Sequence, residues 1–200
     1  EGPTRTAVWV RVGSGTPLAY HLAESLREDA PDVCEGLVRT GFRVALLSGD
    51  SSGPVADCAS AAGLSSSWRA AQSPANKLAY LSELKTKGHK VLMVGDGLND
   101  APALAGADVS MSPATGSDVS QTAADLVFTG NRLAPVRFAI RTAQIARSRA
   151  LQNFTLATIY NAIAIPIALA GLVTPLVAAL AMSGSSILVM LNSLRNWAKT

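Results

Sequence analysis

Acidic side chains stop at Asp125, and the remaining seventy-five residues contain no Asp or Glu. Within that stretch, the forty-five residues from Ala150 to Leu194 carry no Asp, Glu, Lys, Arg or His. Charged residues make up only 16% of the 200-residue chain, well below the roughly 25% usual in soluble domains. This argues against a single soluble globule. Cysteine occurs twice, at Cys34 and Cys58, with no Cys-x-x-Cys or Cys/His cluster, so both read as packing residues. No internal repeat, low-complexity tract or signal peptide is visible, and a chain opening at Glu1 reads as the tail of a longer protein.

What charge there is divides by position. Fourteen acids and ten Lys/Arg give residues 1–125 a net −4, while seven Lys/Arg give residues 126–200 a net +7, together the overall +3. Such asymmetry implies two environments. It argues against a uniformly basic nucleic-acid binder, and no nucleic-acid partner is expected. A helix crossing the bilayer core needs about 20 apolar residues, so the uncharged stretch has room for two spans, at 152–170 and 175–194. Ala170-Gly171-Leu172-Val173-Thr174-Pro175 punctuates them. Arg137, Arg141, Arg147 and Arg149 precede the pair, and Arg195 and Lys199 follow it. The positive-inside rule then puts both outer ends in the cytoplasm and the turn on the far side. A buried helical hairpin in a large soluble protein is the plain alternative.

The remainder reads as alternating strand and helix. Ala7–Val12 and Leu18–His21 flank a Gly-Ser-Gly turn and suggest a hairpin. Asp32–Thr40 is expected as a helix, Arg43–Leu47 as a strand, Pro54–Ala62 and Asn76–Lys87 as helices. Lys90–Val94, Ala107–Met111 and Asp125–Thr129 are expected as strands. This order predicts a mostly parallel sheet with helices on both faces, whose chemistry lies outside the carboxyl ends of the strands. Ser48-Gly49-Asp50 and Gly95-Asp96-Gly97-Leu98-Asn99-Asp100 both lie at such ends.

Asp96, Asn99 and Asp100 cluster hard oxygen donors, which suit Mg²⁺. Gly95 and Gly97 let the backbone approach a ligand closely. Ser48, beside Gly49, supplies a hydroxyl and an N–H for phosphate oxygens, and Lys77 adds a positive charge near a helix start. Together they suit phosphoryl transfer, which depends on positioning and charge stabilisation. Singly, Gly-Asp-Gly is a common turn, Ser48-Gly49-Asp50 an ordinary loop and Lys77 a solvated helix residue. No Asp-Lys-Thr-Gly sequence, which would supply a nucleophile, occurs in the chain.

Ser48-Gly49-Asp50, Lys77 within Ser73-Pro74-Ala75-Asn76-Lys77, and the string from Gly95 to Leu104 resemble the last three haloacid-dehalogenase-type motifs of P-type ATPases. Gly116-Ser117-Asp118-Val119 and Ala123-Ala124-Asp125 resemble the family's continuation. The resemblance implies an α/β haloacid-dehalogenase-like (Rossmannoid) portion followed by a two-helix transmembrane hairpin. It implies that Asp96 binds catalytic Mg²⁺ with Asn99 and Asp100 ordering that site, that Ser48 and Lys77 contact an aspartyl phosphate derived from ATP, and that Asp50 holds the Ser48 loop. Tyr160-Asn161 and Met182-Ser183-Gly184-Ser185-Ser186 resemble the copper-transporting branch. Tyr160, Asn161, Met182, Ser185 and Ser186 are thus the implied site of a transported Cu(I), a soft ion that a thioether favours. The Lys and Asp-x-Gly expected of a zinc-type pump are missing from these spans. The plain alternative is that Asn161, Ser185 and Ser186 glue helices together.

The stretch from Met111 to Arg195 is most similar to pumps that supply copper for assembly of cbb3-type cytochrome oxidases. A bacterial inner membrane, a cytoplasmic copper chaperone and a link to oxidase assembly follow as implied setting and partners. The implied division is 1–22 as the tail of a nucleotide-binding domain and 23–135 as the phosphorylation domain. A connecting helix at 136–151, the two spans and a cytoplasmic tail at 195–200 complete it. Pumping is expected of the full-length parent and not of these 200 residues alone. The competing readings are a membrane-tethered phosphatase of the same fold and a truncated, non-catalytic regulatory subunit.

Overall fold

The computed structural model describes residues 7–21 and 26–195. Parts of the segments expected at 1–22, 23–135 and 195–200 lie outside them, and so does Lys199 of the flanking charges. The chain forms two compact units, Glu1–Arg137 and Phe138–Thr200.

The first unit opens with a hairpin, β1 (Ala7–Val10) against β2 (Leu18–His21), antiparallel with Val10 opposite Leu18. Helix α1 (Ala30–Arg39) has Pro31 in its first turn, where a missing N–H costs nothing, and turns Ala30, Val33 and Cys34 inward. Helix α2 (Ser52–Ala61) contributes Ala59, and Cys34, Ala59, Ala62 and Leu64 form a core against Leu26, Val44, Leu46 and Trp68. Burial pushes the Cys34 thiol above its ordinary value, in keeping with a packing role.

Strand β3 is confined to Leu46–Leu47, shorter than the expected 43–47, and pairs in parallel with β4 (Trp68–Arg69). The sequence predicts no strand at β4, since two residues are too few for a period of two to register. Helix α3 (Pro74–Thr86) starts at Ser73, whose Oγ accepts the Asn76 N–H at 3.1 Å. Strands β5 (Leu92–Val94), β6 (Val109–Pro113) and β7 (Leu126–Phe128) form a parallel sheet in the order β5-β6-β7. A 3-10 turn (Leu98–Asp100) and α4 (Ala101–Gly106) join β5 to β6, and α5 (Asp118–Ala123) joins β6 to β7. Neither six-residue helix is among the expected elements, because under two turns show no apolar period. The parallel α/β order matches expectation, but these strands form two sheets in place of the single one expected. A cavity bounded by Leu46 and Leu47 of β3 and Val94 of β5 lies between them.

The expected connecting helix at 136–151 and first span at 152–170 lie along one helix. That helix, α6 (Ala134–Leu169), is continuous over 36 residues, and α7 (Pro175–Leu194) follows a short turn. Thr174 caps α7 by accepting the Val177 N–H at 3.4 Å. Among the described residues, only α7 is long and apolar enough to cross a membrane. The later half of α6 is interrupted by Gln152, Asn153, Asn161 and Pro166. The two-span expectation is therefore met in part, by α7 of the two expected spans. Asn153 Nδ2 donates to Ser193 Oγ and Asn192 Nδ2 to Asn153 Oδ1, both at 2.8 Å. Such interhelical bonds contribute about 0.6–2 kcal/mol each in membranes.

The α6 start is held from a distance in sequence. The Asp29 carboxylate accepts the N–H of Leu133 at 3.0 Å and of Ala134 at 2.7 Å, two donors that a helix start leaves without partners. Burial pushes this carboxyl up, but those two N–H groups, its own N–H and the Arg132 charge outweigh it and hold it below its ordinary value. Asp29→Ala is expected to destabilise the first unit by about 0.5–2 kcal/mol at neutral pH. Because the folded value is depressed, this contribution is complete above the unfolded value of about 3.9 and fades as pH falls through the folded one. Urea unfolding of both forms across pH 3–7 checks it; a difference that persists undiminished at the acid end would rule out the carboxylate as its source.

Candidate active site

The loop after β3 is zipped to the segment after β4. Ser48 N–H donates to Arg69 O at 3.0 Å, Gln72 N–H to Ser48 O at 2.8 Å, and Ala71 N–H to Asp50 O at 2.8 Å. To do this Ala71 takes φ +51°, a left-handed conformation that costs a non-glycine residue about 1–2 kcal/mol. The Ser48 hydroxyl donates to the Asp50 carboxylate, and the Asp50 N–H returns a bond to Ser48 Oγ at 3.3 Å. Asp50 thus orients Ser48.

Lys77 sits in the first turns of α3 and is not a solvated helix residue. Its side chain is 8% exposed, and Nζ lies 2.6 Å from Oδ1 of Asp100, itself 13% exposed. Asp100 Oδ2 also accepts the Gly97 N–H at 3.3 Å. Removing one member of a buried pair costs about 3–5 kcal/mol, because the other charge stays buried without a partner. The loop folds tightly over this carboxylate: a Cβ on Gly95 would lie 2.8 Å from Asp100 Cβ.

Asp96 differs, with its side chain 63% exposed and its carboxylate toward the cavity. That cavity, about 450 Å³, is lined by Ser48, Gly49, Asp50, Lys77, Gly95, Asp96, Gly97, Asn99 and Asp100, the whole set expected at the strand ends and the helix start. Among the described residues no three His, Cys, Asp or Glu side chains cluster as a metal cage. One accessible carboxylate, with an amide and a carboxylate nearby, fits Mg²⁺, which keeps several waters and takes phosphate oxygens.

Two features escaped the sequence. Arg27, 21 residues before Ser48, lines the same cavity, with its Nη2 3.6 Å from Asp96 Oδ2. In the sequence it is one ordinary Arg in a charged run. The segment Gly116–Ser120 braces the Asp96 loop: Ser117 N–H donates to Asp96 O at 2.9 Å, and the Ser120 hydroxyl to Gly97 O at 2.6 Å. The motif resemblance includes Gly116 without indicating this contact.

The residues expected to hold a transported ion lie on α6 (Tyr160, Asn161) and α7 (Met182, Ser185, Ser186). At 1.5 Å per residue, Asn161 lies about 12 Å along the helix from Leu169, and Met182 about 10 Å from Pro175. They occupy similar levels of the hairpin. The hydroxyls of Ser185 and Ser186 donate to Met182 O at 2.9 and 3.1 Å. Among the described residues, no hydrogen bond joins Tyr160 or Asn161 to the α7 group.

A Cβ on Gly116 would lie 2.9 Å from Ser112 Oγ, 3.0 Å from Asp96 O and 3.1 Å from Pro113 O. Two of these are backbone atoms and must shift together. Gly116→Ala is expected to destabilise the unit by about 1–3 kcal/mol, read as a lower melting temperature. An unchanged melting temperature would mean that the brace yields freely.

Residues 2–108 match the haloacid dehalogenase-like hydrolase family. The chain is 49% identical over 195 residues to the nitrogen fixation protein FixI of Bradyrhizobium diazoefficiens, covering 98% of this chain and 25% of that protein. It is 40% identical over 190 residues to a copper-exporting P-type ATPase of Mycobacterium leprae, covering 95% and 24%. A crystal structure of a zinc-transporting PIB-type ATPase in the E2.Pi state superposes with a TM-score of 0.81 at 31% identity, over 90% of this chain and 29% of that one. The chain spans about a quarter of the length of these curated relatives. It belongs to the haloacid dehalogenase-like hydrolase family, and within it to the heavy-metal P-type ATPases, of which it covers a C-terminal portion.

Proposed function

We propose that the full-length protein is an ATP-driven exporter of a heavy-metal cation, Cu(I), working through an aspartyl-phosphate intermediate. The observation that carries this reading is the convergence of Ser48, Lys77 and Asp96 on one cavity from a strand end, a helix start and a second strand end. On phosphate binding Ser48 turns its single hydroxyl proton from the Asp50 carboxylate to a phosphoryl oxygen, while the Asp50 N–H holds Oγ in place. Lys77 offers positive charge while Asp100 holds it in place. Asp96, aided by Asn99 and Asp100, would hold Mg²⁺. When bound, that ion would neutralise developing phosphoryl charge. The copper-exporting relative and the Met182 thioether, a soft donor, support copper as the cargo.

The proposed division keeps residues 23–135 as the phosphorylation domain and 1–22 as the end of a nucleotide-binding domain. The hairpin then lies in a bacterial inner membrane with the catalytic part in the cytoplasm. Delivery by a copper chaperone and a link to cytochrome oxidase assembly complete the setting.

In membranes containing the full-length protein, Asp96→Ala is expected to lower copper-stimulated ATP hydrolysis by about 100-fold or more. Unchanged turnover would remove Asp96 from the mechanism. Met182→Leu in the purified full-length protein is expected to abolish Cu(I) binding while leaving the fold intact; undiminished binding would move the cargo site elsewhere.

A further inference from the structure

The cavity contains a cation that the reading above does not use. Arg27 Nη1 is fully buried and has no hydrogen-bond partner among the described residues, while Nη2 of the same guanidinium lies 3.6 Å from Asp96 Oδ2. A buried guanidinium N–H without an acceptor is costly, since charged groups lose more than neutral ones when unsatisfied. At 3.6 Å the Asp96 contact is an ion pair without a close hydrogen bond. Arg27 therefore has unused donor capacity in the buried wall of a cavity that it lines together with Ser48, Lys77 and Asp96. Guanidinium presents its donors as a planar fork matched to two oxygens of one phosphate or carboxylate. Asp100 is already engaged by Lys77 and the Gly97 N–H, and Asp50 by Ser48. The cavity's carboxylates thus leave the buried Nη1 without an acceptor.

We propose that Arg27 is a further phosphate-contacting residue, its guanidinium donating to an oxygen of the phosphoryl group held between Ser48 and Lys77. This rests on the phosphoryl-transfer reading of the cavity. It assigns Arg27 two relations. With no phosphate present the guanidinium pairs with Asp96; with phosphate present it turns so that its fork meets a phosphoryl oxygen, which ends the unpartnered burial of Nη1 and releases Asp96 toward a cation. Lys at this position would keep the charge and lose the fork.

The test uses purified full-length protein and orthovanadate as the phosphate probe. The readout is the vanadate concentration giving half-maximal protection from proteinase K at saturating Mg²⁺. Arg27→Met is expected to raise that concentration at least about tenfold, with Arg27→Lys intermediate. Arg27→Gln, which keeps a polar side chain, covers the case in which the Met variant does not fold, and melting curves establish folding for each. Wild-type vanadate dependence in folded Arg27 variants, alongside a weakened Ser48→Ala control, would overturn the assignment of Arg27 and leave the cavity's reading standing. An unchanged Ser48→Ala control would overturn that reading, and the proposal with it. A shift confined to the Mg²⁺ requirement, with vanadate dependence unaltered, would make Arg27 only a counter-ion of Asp96 and also overturn the proposal.

Discussion

The ion pair between Lys77 and Asp100 ties the helix before β5 to the turn after it. Lys77 belongs to α3, Asp100 to the 3-10 turn after β5, and both are largely removed from solvent. In a medium of lowered dielectric, either charge alone would be expensive, so each fixes the other. The Gly97 N–H adds a second bond to Asp100, and the loop closes over the carboxylate so tightly that Gly95 has no room for a Cβ. The position of Asp96 follows, because it lies between the two glycines whose backbone this pair sets. One carboxylate is consumed in structure so that its neighbour is presented to the cavity.

The same division of roles appears on the other sheet. Asp50 holds Ser48, and the segment after β4 is strained at Ala71 to complete three backbone bonds to the Ser48 loop. Strain of about 1–2 kcal/mol persists only where surrounding structure over-determines it. Here the surrounding structure is a two-residue parallel pairing, and those three bonds extend it past the strand ends. Loops from both sheets are thus rigid at the rim of one cavity, as the chemistry of charge stabilisation requires.

Much of this was legible in sequence where a residue type carries its own physical signature. Gly-Asp-Gly, the paired carboxylates and Ser48-Gly49-Asp50 stood at strand ends because short apolar runs led into them. The helix starts expected at Asp32 and Asn76 fell two residues late, because the prolines at 31 and 74 that occupy the first turns of α1 and α3 were left outside them. What escaped was long-range or very short. Strand β4 exists only because β3 pairs with it, and α4 and α5 are too brief to show periodicity. Arg27 is significant only through burial and a neighbour 69 positions away. The charge-free run from Ala150 marked two long apolar helical stretches, but composition alone did not show that α6 begins at Ala134 without a break.

In the second unit a polar contact sets the register that the apolar surface leaves free. Leucine, isoleucine and alanine stripes slide past one another with little change in lipid, since lipid contacts are as apolar as helix contacts. Asn153 meets Asn192 and Ser193 at one level, about 24 Å along α6 from Leu169. A second constraint is the turn, with Thr174 capping α7 at the opposite end. Two fixed points on antiparallel helices determine every level between them. Asn161 and Met182 therefore share a depth because of residues that lie far from either, and a one-turn slip, about 5.4 Å, would separate them while breaking the asparagine contact. The residues that join the two helices and those read as holding an ion are, in this hairpin, different sets: the first fixes the geometry on which the second depends.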